Sequence, residues 1–142
     1  MNNPFILIAE DDVDDRMLLQ SAFDENNSGF KIEFVGNGCE LIDYLDDLKV
    51  EKPLLPRFII MDLNMPKKDG RETLKEIKQH PLFKKIPVII FTTTKNENEV
   101  NRCYELGANS YIVKPDSFDA LRKITETLSS YWLDVASVPR TN

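Results

Sequence analysis

The sequence predicts a doubly wound α/β domain: a five-stranded parallel sheet in the order 2-1-3-4-5, with helices on both faces. Three observations carry this. Apolar, β-rich runs alternate five times with helix-period segments, the pattern of parallel strands joined by crossover helices. The first, third and fourth runs are apolar throughout instead of alternating, as strands covered on both faces are. No linker or internal repeat divides the 142 residues, so right-handed crossovers have one sheet to build, and the order 2-1-3-4-5 suits that size.

The elements follow in turn. "FILIA" (5–9) is the first strand, and a helix with Val13, Met17, Leu18 and Ala22 on one side runs to about Asn26, where "NNSG" breaks it. "FKIEFV" (30–35) alternates with period two and reads as a strand near the sheet edge. "GCELIDYLDDL" sets Leu41, Ile42, Leu45 and Leu48 at helical spacing, and a loop with Pro53 and Pro56 leads into the third strand, "RFIIMD". "MPKKDG" is a turn. "RETLKEIKQH" is the third helix, carrying Leu74 and Ile77, and "PVIIFT" (87–92) is the fourth strand. "NEVNRCYELGA" turns Val100, Cys103 and Tyr104 inward and ends at Gly107, a C-cap. "SYIV" and "SFDALRKITETL" supply the last strand and helix.

The bulk composition excludes several classes. No apolar run approaches the roughly 20 residues of a membrane span, and "MNNPF" does not begin a signal peptide, so the expected location is cytoplasmic with no membrane partner. A net charge of −6 argues against nucleic acid as a partner. Cys39 and Cys103 form no redox or metal motif and read as small buried apolar residues. His80 is the only histidine and precedes Pro81, which marks it as a helix-end residue, not an exposed phosphocarrier.

In this sheet order the ligand site belongs at the carboxyl ends of strands 1 and 3. Strand 1 ends in Glu10-Asp11-Asp12, strand 3 in Asp62, strand 4 in Thr92-Thr93-Thr94 and strand 5 in Lys114-Pro115. Asp12, Asp14 and Asp15 read as helix N-terminal acids favoured by the dipole. Glu10, Asp11 and Asp62 would repel one another unless a hard divalent cation joined them. An oxygen-only donor set without histidine or cysteine suits Mg²⁺. Lysine, hydroxyl and cation around one carboxylate suit a phosphoryl group, with Asp62 as nucleophile, Lys114 offsetting charge and Thr92 donating a hydrogen bond.

Together these residues resemble the receiver domain of two-component response regulators, whose fold is flavodoxin-like. "IIMDLNMPKKDG" is the most specific stretch, and "LIAEDD", "PVIIFTTT" and "GANSYIVKP" follow the family's order. The resemblance covers about residues 4 to 130. It implies that Asp62 is the phosphoacceptor and that Asp11, Asp62, Glu10 (through water) and the backbone carbonyl of Asn64 hold Mg²⁺. Lys114 would pair with acceptor and phosphoryl oxygens, and Thr92 and Tyr111 would be the switch pair. Lys114-Pro115 would be a cis peptide. Glu10 stands where the family more often has aspartate. Asn64 and Thr94 occupy positions that tune hydrolysis.

The expected division is a receiver domain over 1–130 and a C-terminal extension of the fifth helix with a short tail over 131–142, without an output domain. Phe118, Leu121, Thr125, Leu128, Tyr131, Trp132 and Val135 keep helical spacing, so that helix would reach about Ser137 and overhang the sheet. Tyr131 and Trp132 would then form a dimer or partner surface, or pack against the domain's own base. The "YWL…VP" close resembles single-domain regulators paired with phytochrome-type histidine kinases.

The function expected is a stand-alone response regulator. It would accept phosphoryl from a sensor histidine kinase or phosphotransfer protein and present a changed surface to a downstream protein target. Homodimerisation would run through helix 4, strand 5, helix 5 and the extension. Such a protein catalyses its own phosphorylation and dephosphorylation and turns over no external substrate. The alternative is a phosphorylation-independent interaction module. A haloacid-dehalogenase-type enzyme is disfavoured by Asn64 and Pro66, where it needs an aspartate and a hydroxyl. A flavodoxin is disfavoured by the acids after strand 1.

Overall fold

The computed structural model describes residues 4–26, 29–51 and 54–140. Five parallel strands, β1 (Phe5–Ala9), β2 (Lys31–Val35), β3 (Ile59–Met61), β4 (Val88–Thr92) and β5 (Ser110–Val113), pair in the order β2-β1-β3-β4-β5. The helices between and after them are α1 (Val13–Glu25), α2 (Gly38–Glu51), α3 (Gly70–Gln79), α4 (Glu97–Glu105) and α5 (Phe118–Ser129). The predicted fold class is the one observed.

The pleat divides the core. Leu7, Ala9, Ile59, Met61, Val88 and Ile90 face Leu41 and Leu45 of α2, Leu74 and Ile77 of α3 and Cys103 of α4. Their neighbours Ile6, Ile8, Ile60, Ile89 and Phe91 face Leu19, Ala22 and Phe23 of α1 and Leu121 and Leu128 of α5. Both faces of the central strands are therefore dry, which is why their sequences do not alternate. Helix starts follow local chemistry: the side chains of Asp12, Asp69, Asn96 and Ser117 each accept from a backbone N–H in the first turn of their helix. Gly107, at φ +108°, closes α4.

Some expectations need correction. Val13, Met17 and Leu18 are exposed on α1; the inward face is Asp15, Leu19, Ala22 and Phe23, with Asn26 donating to the Thr125 hydroxyl at 3.2 Å. The first inward turn is polar because it faces the sheet rim, so the apolar pattern near the helix start belongs to the outer side. Cys39 is exposed, because it stands on the outer side of the first turn of α2, whose Gly38 and Leu41 face inward, whereas Cys103 is buried as expected. Tyr104 is half exposed, and its hydroxyl accepts from the Tyr111 N–H at 3.2 Å, a bond that holds the ring at the surface. No cis peptide bond occurs among the described residues, so Lys114-Pro115 is trans. Trans is the intrinsically favoured isomer, and Lys114 N–H holds the segment on the Thr92 carbonyl at 2.8 Å. Pro53 lies outside the described residues.

After Ser129 the fifth helix widens into a π turn over Ser130–Val135 and ends there. The wide turn keeps Leu133 beneath Ser129 on the inward side, so Leu133 is buried while Tyr131 and Val135 are exposed. Trp132 packs partly buried against the α1/α5 core and meets the Tyr131 ring edge-on at 4.9 Å. The chain then turns back, and the Arg140 carbonyl accepts from the Leu55 N–H at 2.6 Å.

Candidate functional site

Four strands deliver their polar residues to one rim. Glu10 follows β1, held by its N–H on the Val35 carbonyl at 3.0 Å. Asp62 follows β3, its N–H on the Ala9 carbonyl at 3.2 Å. Thr92 ends β4 and Lys114 follows β5. Glu10 and Asp62 are almost fully buried, at 2% and 7% exposure, and Asp11 beside them is exposed.

Glu10, Asp11 and Asp62 each offer a carboxylate oxygen within 4.8 Å of the other two. Lys114 Nζ donates to Glu10 Oε1, Asp62 Oδ2 and Asp15 Oδ2, each at 2.8 Å. Burial alone would depress the Lys114 amine, but these three hydrogen bonds outweigh it and hold its pKa well above the ordinary lysine value. For Glu10 burial dominates and raises the carboxyl, although the Lys114 ammonium and the Asp12 N–H (3.2 Å) pull it back. The second oxygen of Asp62, Oδ1, accepts from the Asn64 N–H at 3.3 Å.

The Thr92 hydroxyl is fully buried and has no hydrogen-bond partner among the described residues. An unpaired buried hydroxyl costs about 1–3 kcal/mol, so a strand-end threonine is an expensive choice unless some state gives its oxygen a partner. Tyr111 is partly buried and donates its hydroxyl to the Thr94 carbonyl at 2.8 Å, bridging β5 to the loop after β4.

The β3–α3 turn is built tightly around the acceptor. Gly70 N–H reaches the Leu63 carbonyl at 2.9 Å, and a Cβ on Gly70 would lie 2.4 Å from the Asp62 carbonyl oxygen. Only glycine lets α3 start this close. Lys67, at φ +65°, takes the left-handed conformation needed to turn the chain.

Glu10, Asp11, Asp62 and Lys114 come together there, and Thr92 joins them through its backbone, its carbonyl accepting from the Lys114 N–H at 2.8 Å. Two further contacts at the rim come from the start of α1. Asp15 lies in the first turn of α1, where the dipole favours an acid, but its carboxylate also accepts from Lys114. Arg16 Nε donates to the Glu10 carbonyl at 2.6 Å, fixing the β1–α1 turn. The signal for Asp15 was its place one helical turn before Leu19 on the face that continues through Ala22 and Phe23.

Residues 6–126 match the family described as response regulator receiver domain. Response regulator Rcp1 of Synechocystis sp. is 36% identical over 135 residues, covering 94% of this chain and 92% of its own. A probable methanogenesis regulatory protein, FilR2 of Methanothrix harundinacea, is 36% identical over 132 residues, covering 92% and 85%. Among solved structures, the Mn²⁺-bound form of Rcp1 superposes with a TM-score of 0.85 at 36% identity, covering 96% of this chain and 99% of its own. The phosphorylated cyanobacterial phytochrome response regulator RcpA gives 0.87 at 34% identity, covering 98% and 99%.

Proposed function

The chain belongs to the response regulator receiver domain family, and on that premise we propose that it accepts a phosphoryl group on Asp62 from the phosphohistidine of a sensor histidine kinase or phosphotransfer protein. The observation that carries this reading is the pairing of Asp62 with Lys114 on a rim where the Thr92 hydroxyl is buried without a partner.

The chemistry follows from the side chains. An Asp62 oxygen attacks phosphorus, the O–P bond forms as the P–N bond breaks, and the electron pair returns to an imidazole that leaves neutral with its second nitrogen protonated. Lys114 offsets charge on Asp62 and on the transferred oxygens. Thr92 donates to a phosphoryl oxygen and so gains the partner it otherwise lacks. Glu10, Asp11 and Asp62, with the Asn64 backbone carbonyl, would hold Mg²⁺, for which their hard oxygen donors are suited. Bound there, the ion supplies neutralisation of the phosphoryl oxygens. Water attacking the acyl phosphate breaks its O–P bond, releases inorganic phosphate and returns Asp62 to a carboxylate, so the chemistry is that of the protein's own modification and its removal.

When Thr92 turns to the phosphoryl group, the loop after β4 shifts. Tyr111, tied to Thr94 in that loop, shifts with it. The surface of α4, β5 and α5 is then what a downstream protein target, or a second copy using the C-terminal extension, would read. The donor must dock beside the rim. Leu18 of α1 and Phe118 line a cleft of about 270 Å³ that also includes Lys114, and exposed Val13 and Met17 extend the apolar surface of α1. No helix among the described residues is long and apolar enough to cross a membrane, and we assign the protein to the cytoplasm.

Intact mass after incubation with Mg²⁺ and phosphoramidate tests the assignment. One labile phosphoryl group should be gained, and lost in Asp62→Asn or with EDTA. A folded, magnesium-loaded protein that gains nothing would favour the phosphorylation-independent interaction module.

A further inference from the structure

An ammonium has three N–H donors, and on Lys114 all three are taken by carboxylates at 2.8 Å. A phosphoryl oxygen can therefore reach a Lys114 proton only if one carboxylate lets go. Phosphorylation turns Asp62 into a neutral acyl ester, a weaker acceptor, which leaves Glu10 and Asp15 as the charged competitors of the phosphoryl oxygens for the ammonium. Glu10 is buried, with its second oxygen on the Asp12 N–H, so freeing it would strand a charge away from water. Asp15 is different. Its side chain is 36% exposed, on the first turn of α1, and a rotamer change would turn it to solvent.

We propose that Asp15 is a built-in competitor of the phosphoryl group: a positioning residue that occupies Lys114 before phosphorylation and is displaced by it. This rests on the phosphoacceptor reading above. Two effects act in the same direction. Asp15 takes the N–H that the incoming group needs, and it adds a negative charge to a rim that already holds Glu10, Asp11 and Asp62. Its displacement also turns a carboxylate outward beside exposed Val13 and Leu18, so α1 presents a different charge in the two states.

The experiment compares wild type, Asp15→Asn, Asp15→Ala and Asp15→Glu, with Asp62→Asn as the blank, in phosphoramidate and saturating Mg²⁺. Phosphorylation of the Asn and Ala variants should be about three- to tenfold faster, the lower part of the range for a charge-assisted bond because Asp15 is partly exposed. Asp15→Glu, which keeps the carboxylate, should stay slow. Nitrogen-15 NMR of the metal-free protein gives an independent reading: hydrogen exchange at the Lys114 ammonium should quicken in Asp15→Asn. Equal or slower phosphorylation of the Asn and Ala variants beside an active wild type would overturn the competitor role, as would unchanged exchange. A wild type that takes up no phosphoryl group would instead overturn the phosphoacceptor reading, and the role of Asp15 with it.

Discussion

Replacing Lys114 with methionine removes one charge and keeps most of the apolar stem that carries the amine over Phe91, 5.8 Å from the ring centroid. Each lost contact at 2.8 Å corresponds to a gross attraction of about 6 kcal/mol at an effective dielectric of about 20. The contact to partly exposed Asp15 counts for much less. Relief of the lysine's own desolvation offsets much of that sum, and removing one partner of a buried pair typically costs about 3–5 kcal/mol. Against a total stability of about 5–15 kcal/mol, that is a large loss. The pH dependence gives the sharper test. The folded-state pKa of Lys114 is raised above the ordinary 10.5, so its contribution is complete at pH 7.5 and is lost only on the alkaline side. Glu10 is already raised from 4.5 by burial, and without Lys114 it rises further. The folded variant then binds a proton that the unfolded chain has released, and its stability falls as pH climbs above about 4.5. Urea unfolding in EDTA should show a small defect at pH 4.5 and a large one at pH 7.5, partly recovered by Mg²⁺. A variant as stable as wild type at pH 7.5 would refute the claim that Lys114 holds the buried carboxylates together.

Thr92→Val removes a buried hydroxyl that has no partner. It should raise the urea midpoint by the equivalent of up to about 1 kcal/mol while abolishing any phosphorylation-dependent change in the Tyr111 NMR signals. Gly70→Ala would set a Cβ against the Asp62 carbonyl oxygen and the Leu63 Cα, both backbone atoms. A loss of about 1–3 kcal/mol and slower phosphorylation should follow. Lys78 donates to the Ile86 and Lys84 carbonyls and to Asn109 Oδ1, and burial pushes its amine down to about 8. Between that value and the ordinary 10.5 the unfolded chain binds more protons, so this group adds stability as pH rises. From pH 7.5 to 9.5, wild type should gain stability relative to Lys78→Gln, by less than full linkage because the amine is part exposed.

The sheet was legible because buried parallel strands and their crossover helices leave two distinct periods in the sequence. The rim was legible because each strand ends in the residue it delivers: Glu10, Asp62, Thr92 and Lys114 could be brought together from strand order alone. The faces of α1 were not. Val13, Met17 and Leu18 carry the apolar signal at the start of that helix, yet the inward positions there are Asp15 and Arg16, because the helix begins over a polar site instead of the core. The apolar residues at the start of the helix point to the wrong face, and only the spacing back from Leu19, Ala22 and Phe23 places Asp15 inward. The π turn after Ser129 was equally hidden. Helical spacing extrapolated from Leu128 selects Tyr131 and Val135, whereas the wider turn buries Leu133. Cys39 shows a third limit: its apolar character says nothing of which side of α2 it stands on, and it lies on the outer one.

Every role proposed for the rim depends on Asp62 carrying the phosphoryl group as an acyl phosphate. The most direct measurement is borohydride reduction of the protein after phosphorylation with phosphoramidate and Mg²⁺, followed by peptide mass spectrometry. An acyl phosphate at Asp62 is reduced there to homoserine, and the peptide containing residue 62 should carry that change only when the donor was present. Reduction at a different aspartate, or a phosphoryl group found on His80 with Asp62 untouched, would contradict it.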